Sequence, residues 1–249
     1  MIELKTKEEI EKLRIANIHV AEILNLLTEY VKPGVSAAEL DEIAFNECKK
    51  RNVRPAFLGL YGFPASLCVS INEEVVHGIP RKDKIIKEGD LVSLDFGVEY
   101  DGWYGDAAIT VAVGEISDRK QRLIEGVKLA LDKAIELCYP GNNLKDIARV
   151  IEETLKSYKL TPVCTYGGHG IGRKPHEEPH VTNCLTNAEN IELKPGMVLA
   201  IEPMAYLGKG KIRKLKDNWT IVTTDKTHAA HFEHSVAITE NGPYVLSKI

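Results

Sequence analysis

The chain has 249 residues, 44% of them hydrophobic and 27% charged, with a formal net charge of −4 at pH 7. That is enough chain to bury a core as one large domain, and the charge balance gives no electrostatic case for nucleic acid as the main partner. The opening string MIELKTKEEIEKLRIA is charged from its third residue and no run of about 18 apolar residues exists, so neither a secretory signal nor a membrane span is expected.

Residues 6–31 read as a helix, with Ile10, Leu13, Ile18, Ala21 and the run from Ile23 to Leu27 forming an apolar stripe. Pro33 and Gly34 stop it, and Ser36 caps a second helix over residues 37–51. Residues 66–76 read as a strand with a turn centred on Asn72. Strands over 91–100 and 103–113 flank Asp101-Gly102, the strongest hairpin pattern in the chain. A helix over 118–138 stops at Pro140-Gly141 and gives way to another over 144–158. Strands at 162–166, 198–201, 220–223, 234–239 and 244–246 complete the order. The strings PG-VSAAELDEIA and PG-NNLKDIA align with a three-residue slip, which reads as an internal duplication or as chance. The expectation is an α+β fold in one domain over residues 1–249. Its pseudo-symmetric halves would each set two helices on one face of a mainly antiparallel sheet. The five cysteines (Cys48, Cys68, Cys138, Cys164, Cys184) are odd in number, scattered and free of any CxxC, so a reduced, cytoplasmic protein without a disulfide framework is expected.

With Asp101-Gly102 as a two-residue turn, Asp95 faces residue 108 and Asp106 is its diagonal neighbour on the same face, the Cβ atoms roughly 7–8 Å apart. Asp95 would then be a charge at the end of a buried strand, costly unless paired or bound to a metal. Glu202 closes the apolar run MVLAIEP, where Pro203 marks a strand end, and Glu233 stands between two histidines before a β-branched run. Four such carboxylates repel one another, and divalent cations are the natural remedy. His169 sits in GGHGIG, whose glycines allow close backbone approach and unusual dihedrals. Arg173 occupies the last glycine position of G-x-G-x-x-G, which excludes a dinucleotide loop. Residues 176–180, HEEPH, match the H-E-x-x-H zinc pattern in letters only. Pro179 would fall inside the required helix at a cost of about 3 kcal/mol. His176 is therefore placed in a loop facing the substrate, and His180 is incidental.

The strings NEEVVHGIP, LVSLDFG, YGDAA, GGHGIGRKPHEEP, LAIEPM and HFEHSV follow one another in this order. Over essentially its whole length the chain resembles the type I methionine aminopeptidases of the pita-bread family. The resemblance implies a pseudo-two-fold α+β fold with a curved sheet. It implies two divalent ions held by Asp95, Asp106, His169, Glu202 and Glu233, with Asp106 and Glu233 bridging. His77 and His176 match the family's two substrate-facing histidines, and Glu202 is the candidate proton acceptor. A carboxylate-rich set with one imidazole and no thiolate suits Mn, Fe(II) or Co, or Zn as a catalytic rather than a structural ion. Tyr61, Phe63, Cys68 and Trp219 match the substrate pocket, whereas Phe57, Leu60 and Pro175 stand where the best-known bacterial form has Cys, Tyr and Phe. The implied activity removes methionine from the N-termini of nascent polypeptides, preferring a small second residue, in a cytoplasmic monomer. The alternatives are an Xaa-Pro peptidase of the same fold, which carries a further N-terminal domain, and a non-catalytic binding protein, which would have lost ligands. The basic stretch KGKIRKLK (209–216) reads as a solvated hairpin tip or a transient contact with ribosomal RNA.

Overall fold

Reciprocal caps start the first two helices of the computed structural model, which describes residues 2–248. Helix α1 (Lys7–Thr28) begins where the Thr6 hydroxyl accepts from the Glu9 N–H and the Glu9 carboxylate accepts from the Thr6 N–H, so two orphan donors are satisfied at once. Ser36 and Glu39 do the same for α2 (Ala37–Arg51), which ends at Asn52 with φ 54°. The strands β1 (Arg54–Pro55), β2 (Leu67–Ile71), β3 (Glu74–Val76), β4 (Leu91–Tyr100) and β5 (Trp103–Ala112) follow. Helices α3 (Asp118–Glu136) and α4 (Leu144–Ser157) open the second half. After them come β6 (Thr161–Pro162), β7 (Gly167–Gly170), β8 (Glu177–Thr182), β9 (Val198–Ile201) and β10 (Met204–Tyr206). The chain closes with β11 (Ile212–Lys214), β12 (Ile221–Thr223), β13 (Ala229–His231), β14 (Glu233–Thr239) and β15 (Gly242–Val245). The expected strand over 162–166 is only partly formed, since Val163 to Tyr166 run as loop.

The main sheet runs β1-β4-β5-β14-β9-β7-β8, with β2 added to β4 and β15 to β14, and its pairs are antiparallel. Its spine is the β4–β5 hairpin, in unbroken register from Leu91↔Ala112 to Tyr100↔Trp103. Asp101 (φ 51°) and Gly102 (φ 76°) make its turn, as a two-residue turn matched to strand twist requires. Asp95 does not end its strand as expected but lies mid-strand, because the buried run continues through Phe96 and Val98. The basic stretch does form a hairpin strand, β11, with Arg213 and Lys214 exposed. Among the described residues no helix is long and apolar enough to cross a membrane.

Two core clusters divide the molecule. Val20, Leu27, Leu40, Val69, Leu94 and Phe96 join α1 and α2 to β2 and β4. Val127, Leu131, Ile147, Ile151, Leu199 and Val236 join α3 and α4 to β9 and β14. Each such side chain contributes roughly 1.5–3 kcal/mol of burial, so each helix pair anchors its own part of the sheet.

From the Pro-Gly turns through the helix caps the halves correspond residue by residue, without the three-residue slip. Gly34 (φ 93°) donates to the Ile86 carbonyl as Gly141 (φ 90°) does to Leu193. Ser36 bridges Ile85 as Asn143 bridges Glu192, and Ser36 with Glu39 caps α2 as Asn143 with Asp146 caps α4. The correspondence continues into the strands, where the pair Gly97↔Asp106 is matched by Met204↔His231.

The expectation of no disulfide is overturned: Cys164 and Cys184 form one, with Cα atoms 5.2 Å apart. Pairing of Gly167 with Thr182 across β7 and β8 brings the flanking cysteines together, a relation that linear spacing does not reveal. Cys48, Cys68 and Cys138 are free and buried. Mass spectrometry after alkylation in denaturant should therefore count three labelled thiols before reduction and five after. Five labels without reductant, on protein kept from reducing agents, would show the two thiols to be unpaired.

Candidate metal centre

Strand register gathers the charged groups. Cys68, Asp95, Ala108 and Glu233 stand opposite one another in a row across β2, β4, β5 and β14. Asp106, two residues before Ala108, shares its face. Glu202 follows Ile201 at the end of β9, whose Ala200 lies opposite His169 on β7. The supports are equally specific. The Asp106 N–H donates to Oδ1 of the buried Asn17 at 3.3 Å, and the Ser235 hydroxyl donates to the Asp106 carbonyl at 2.8 Å. A Cβ on Gly105 would lie 2.7 Å from the Asn17 backbone, so glycine there lets α1 seat directly on β5. Asn183 Nδ2 donates to the Glu202 carbonyl at 3.1 Å.

Around His169 the glycines act by close approach alone. A Cβ on Gly168 would meet the Ala200 carbonyl oxygen at 2.0 Å. Gly167, Gly168 and Gly170 are not among the positive-φ glycines, so the expected unusual dihedrals are not there. His77 carries the strained backbone instead, at φ 58°, a cost of about 1–3 kcal/mol of the kind that collects at functional sites.

Ligand atoms of Asp95, Asp106 and Glu233 lie within 4.8 Å of one another, and so do those of His169, Glu202 and Glu233. His169 Nδ1 is 3.0 Å from the Gly170 carbonyl. A carbonyl can only accept, so Nδ1 carries the proton and the Nε2 lone pair faces Asp106 Oδ2 at 3.9 Å and Glu202 Oε1 at 3.7 Å. This is the arrangement of a neutral histidine ready to ligate. Asp106 Oδ1 and Glu233 Oε1 are buried without a hydrogen-bond partner. Such atoms are costly, and divalent cations are the groups that these donors fit.

Burial, reinforced by the neighbouring carboxylates, pushes the Asp106 and Glu233 carboxyls well above their ordinary range. Burial also raises Asp95, to about 7. Glu202 differs: burial pushes it up, but His231, His169 and His77 together outweigh that and hold it below the usual value. Burial lowers His169 and His77. His176 is exposed at the cavity mouth, yet the surrounding protein and the adjacent His169 ring bring it down to about 4.

An apolar cavity of about 230 Å³ ends on these groups, walled by Phe57, Leu60, Phe63, Cys68 and Trp219. Asp217 Oδ1 accepts from the Trp219 backbone N–H at 2.9 Å, and the Trp219 and Phe63 rings meet T-shaped with centroids 5.1 Å apart. Tyr61 belongs to the rim rather than the wall. It is 75% exposed and parallel to His176 at 5.9 Å. An outer cleft of about 640 Å³ shares His77, His169, His176 and Glu202 with the cavity, and Pro175 is not among the lining residues of either. HEEPH runs as loop and extended strand, not as helix, and His180 points to the outer cleft. His231 escaped the sequence reading. It is buried, with Nε2 3.4 Å from Glu202 Oε2 and 3.9 Å from Glu233 Oε2.

A cluster of Asp, Glu and His ligands at a substrate-sized cavity on this sheet defines a metallopeptidase, and residues 11–240 match the sequence profile of metallopeptidase family M24. The methionine aminopeptidase of Aquifex aeolicus is 49% identical, over 100% of this chain and 99% of its own. The crystal structure of methionine aminopeptidase from Thermotoga maritima superposes with a TM-score of 0.97 at 43% identity and covers all of both chains. A prolidase from Pyrococcus furiosus gives a TM-score of 0.79 at 27% identity, and the match spans 65% of that chain. This chain belongs to the type I methionine aminopeptidases of family M24, with their pita-bread fold.

In the metal-free protein the raised carboxyls hold protons that the unfolded chain has already released. Stability is therefore lost as pH rises from the ordinary carboxylate range through their folded values, the loss for Asp95 being centred below and complete just above about 7. The depressed histidines act in the opposite sense, but only below their ordinary value of about 6.5. Chelated protein should melt at a lower temperature at pH about 8.5 than at about 6.5, and added Mn²⁺ should raise the midpoint more at the higher pH. A midpoint that climbs over this interval without metal would contradict the assignment.

Proposed function

We propose that residues 1–249 act as one catalytic domain that uses two divalent ions to remove methionine from protein N-termini. The observation that carries this reading is the meeting of the Asp95, Asp106, His169, Glu202 and Glu233 cluster with an apolar cavity of about 230 Å³. Asp106 and Glu233 would be shared between the ions, Asp95 would complete one site, and His169 with Glu202 would complete the other. Bound there, Mn, Fe(II), Co or Zn supplies Lewis acidity, polarising the scissile carbonyl and acidifying a water.

The protein's own groups do the rest. Glu202 stays ionised and takes the proton of the attacking water. His176, held neutral by its depressed pKa, donates a hydrogen bond to the carbonyl oxygen as charge develops on it. His77, set at the cavity edge by its left-handed backbone, contacts the scissile amide and helps the amine to leave. Phe57, Leu60, Phe63, Cys68 and Trp219 receive the unbranched thioether, with Tyr61 closing the rim. Phe57 and Leu60 give this chain its own pocket shape.

A small second residue is preferred on the strength of the family resemblance. The substrates are the N-termini of nascent polypeptides, and the protein acts on them in the cytoplasm as a monomer. A transient ribosome contact would fall on the exposed Arg213 and Lys214.

Chelated protein given Mn, Fe(II) or Co should release methionine from a Met-Ala-Ser peptide and leave an Ala-Pro peptide intact. Cleavage of Ala-Pro alone would transfer the chain to Xaa-Pro hydrolysis. Glu202→Gln should lower kcat by about 10²–10⁴-fold. His169→Ala should lose one bound ion along with most turnover, and full metal content in that variant would remove His169 from the ligand set.

A further inference from the structure

One buried imidazole at the edge of the site touches neither substrate nor the proposed ions. His231 is 1% exposed, and its Nε2 is buried without a hydrogen-bond partner. The backbone holds it firmly. The His231 N–H donates to Thr110 Oγ1 at 2.9 Å, the Thr110 hydroxyl donates to the His231 carbonyl at 2.8 Å, and Ser93 Oγ stands 2.8 Å from Thr110. From this fixed base the ring reaches two of the candidate ligands, with Glu202 the nearer at 3.4 Å and Glu233 at 3.9 Å.

The Glu202 carboxylate is divided between two histidines. Its Oε1 lies 3.7 Å from His169 Nε2, while Oε2 faces His231. The internal duplication shows why His231 points inward. Its pairing with Met204 is the counterpart of the pairing between Asp106 and Gly97, so His231 occupies in the second half the position that Asp106 holds in the first. A carboxylate free to turn can offer either oxygen, or both, to an ion; a fixed donor on one oxygen removes that freedom.

We propose that His231 is a positioning residue for the metal centre: its Nε2–H holds Oε2 of Glu202, leaving Oε1 turned to the His169 side for an ion and for proton transfer. This rests on the metallo-aminopeptidase reading. At 3.4 Å the contact is longer than a formed hydrogen bond, and Glu202 needs to approach by only a few tenths of an ångström to close it.

Three variants test the idea: His231→Leu, which removes the donor; His231→Gln, which keeps one at a similar reach; and His231→Asn, whose amide is too short. Calorimetric titration of each metal-free protein with Mn²⁺, the visible spectrum after loading with Co²⁺, and kcat and KM on Met-Ala-Ser are the readouts. H231L and H231N should bind the ion roughly 10- to 100-fold more weakly, show an altered cobalt spectrum and lose kcat with little change in KM. H231Q should return close to wild type in all three. Wild-type affinity and spectrum in H231L would overturn the proposal, and so would H231Q as impaired as H231L. If H231L does not fold, Gln against Asn decides, with equal behaviour of the two counting against it. Failure of the wild type to release methionine would overturn the functional reading instead, and the calorimetry would still decide on His231.

Discussion

Asp95, Asp106, Glu202 and Glu233 are held at the end of one cavity, largely away from bulk water. Two like charges about 4 Å apart repel by about 4 kcal/mol even at an effective dielectric near 20. The chain tolerates this density because the pairing of β4, β5, β14 and β9 fixes the backbone beneath each group. Packing of α1 on Gly105, with Asn17 bonded to Asp106, leaves the cluster little room to spread. Without metal, protons relieve the repulsion on the raised carboxyls. The proposed divalent ions would do the same, and would turn the arrangement into a reaction centre. The donor set explains why the fold gathers four carboxylates on a sheet whose buried positions are mostly apolar.

The pseudo-two-fold correspondence of the halves supplies the geometry twice. Asp95 and Glu202 are counterparts, each two residues before the equivalently paired Gly97 and Met204, as are the partners Asp106 and His231. Divergence between the copies then separates the roles. The first half adds the Phe57-to-Phe63 segment that walls the cavity, and the second adds the β7–β8 turn carrying His169 and His176. The Cys164–Cys184 disulfide ties together the two ends of that turn.

Much of this was legible in the sequence because the motifs obey short-range rules. The hairpin register that puts Asp95 and Asp106 on one face follows from Asp101-Gly102 alone, and the cap at Ser36 follows from local chemistry. What was missed depends on long-range pairing. Placing Asp95 at a strand end ignored how an apolar-alternating run continues past a single charge. The cysteine pair could not be seen until β7 and β8 were matched. His231 lay in plain view in HFEHSV, but the offset that relates the helix caps carries Asp106 to Arg213, and only the strand register makes His231 its counterpart. The HEEPH pattern shows the converse: proline geometry was enough to set aside a literal motif match, and the segment is extended.

If the carboxylate cluster holds two ions, anomalous diffraction from a crystal loaded with Mn²⁺ should show two peaks, both contacting Asp106 and Glu233, one beside Asp95 and the other beside His169 and Glu202. A single peak at saturating metal, or two peaks that leave Asp106 and Glu233 unshared, would contradict it.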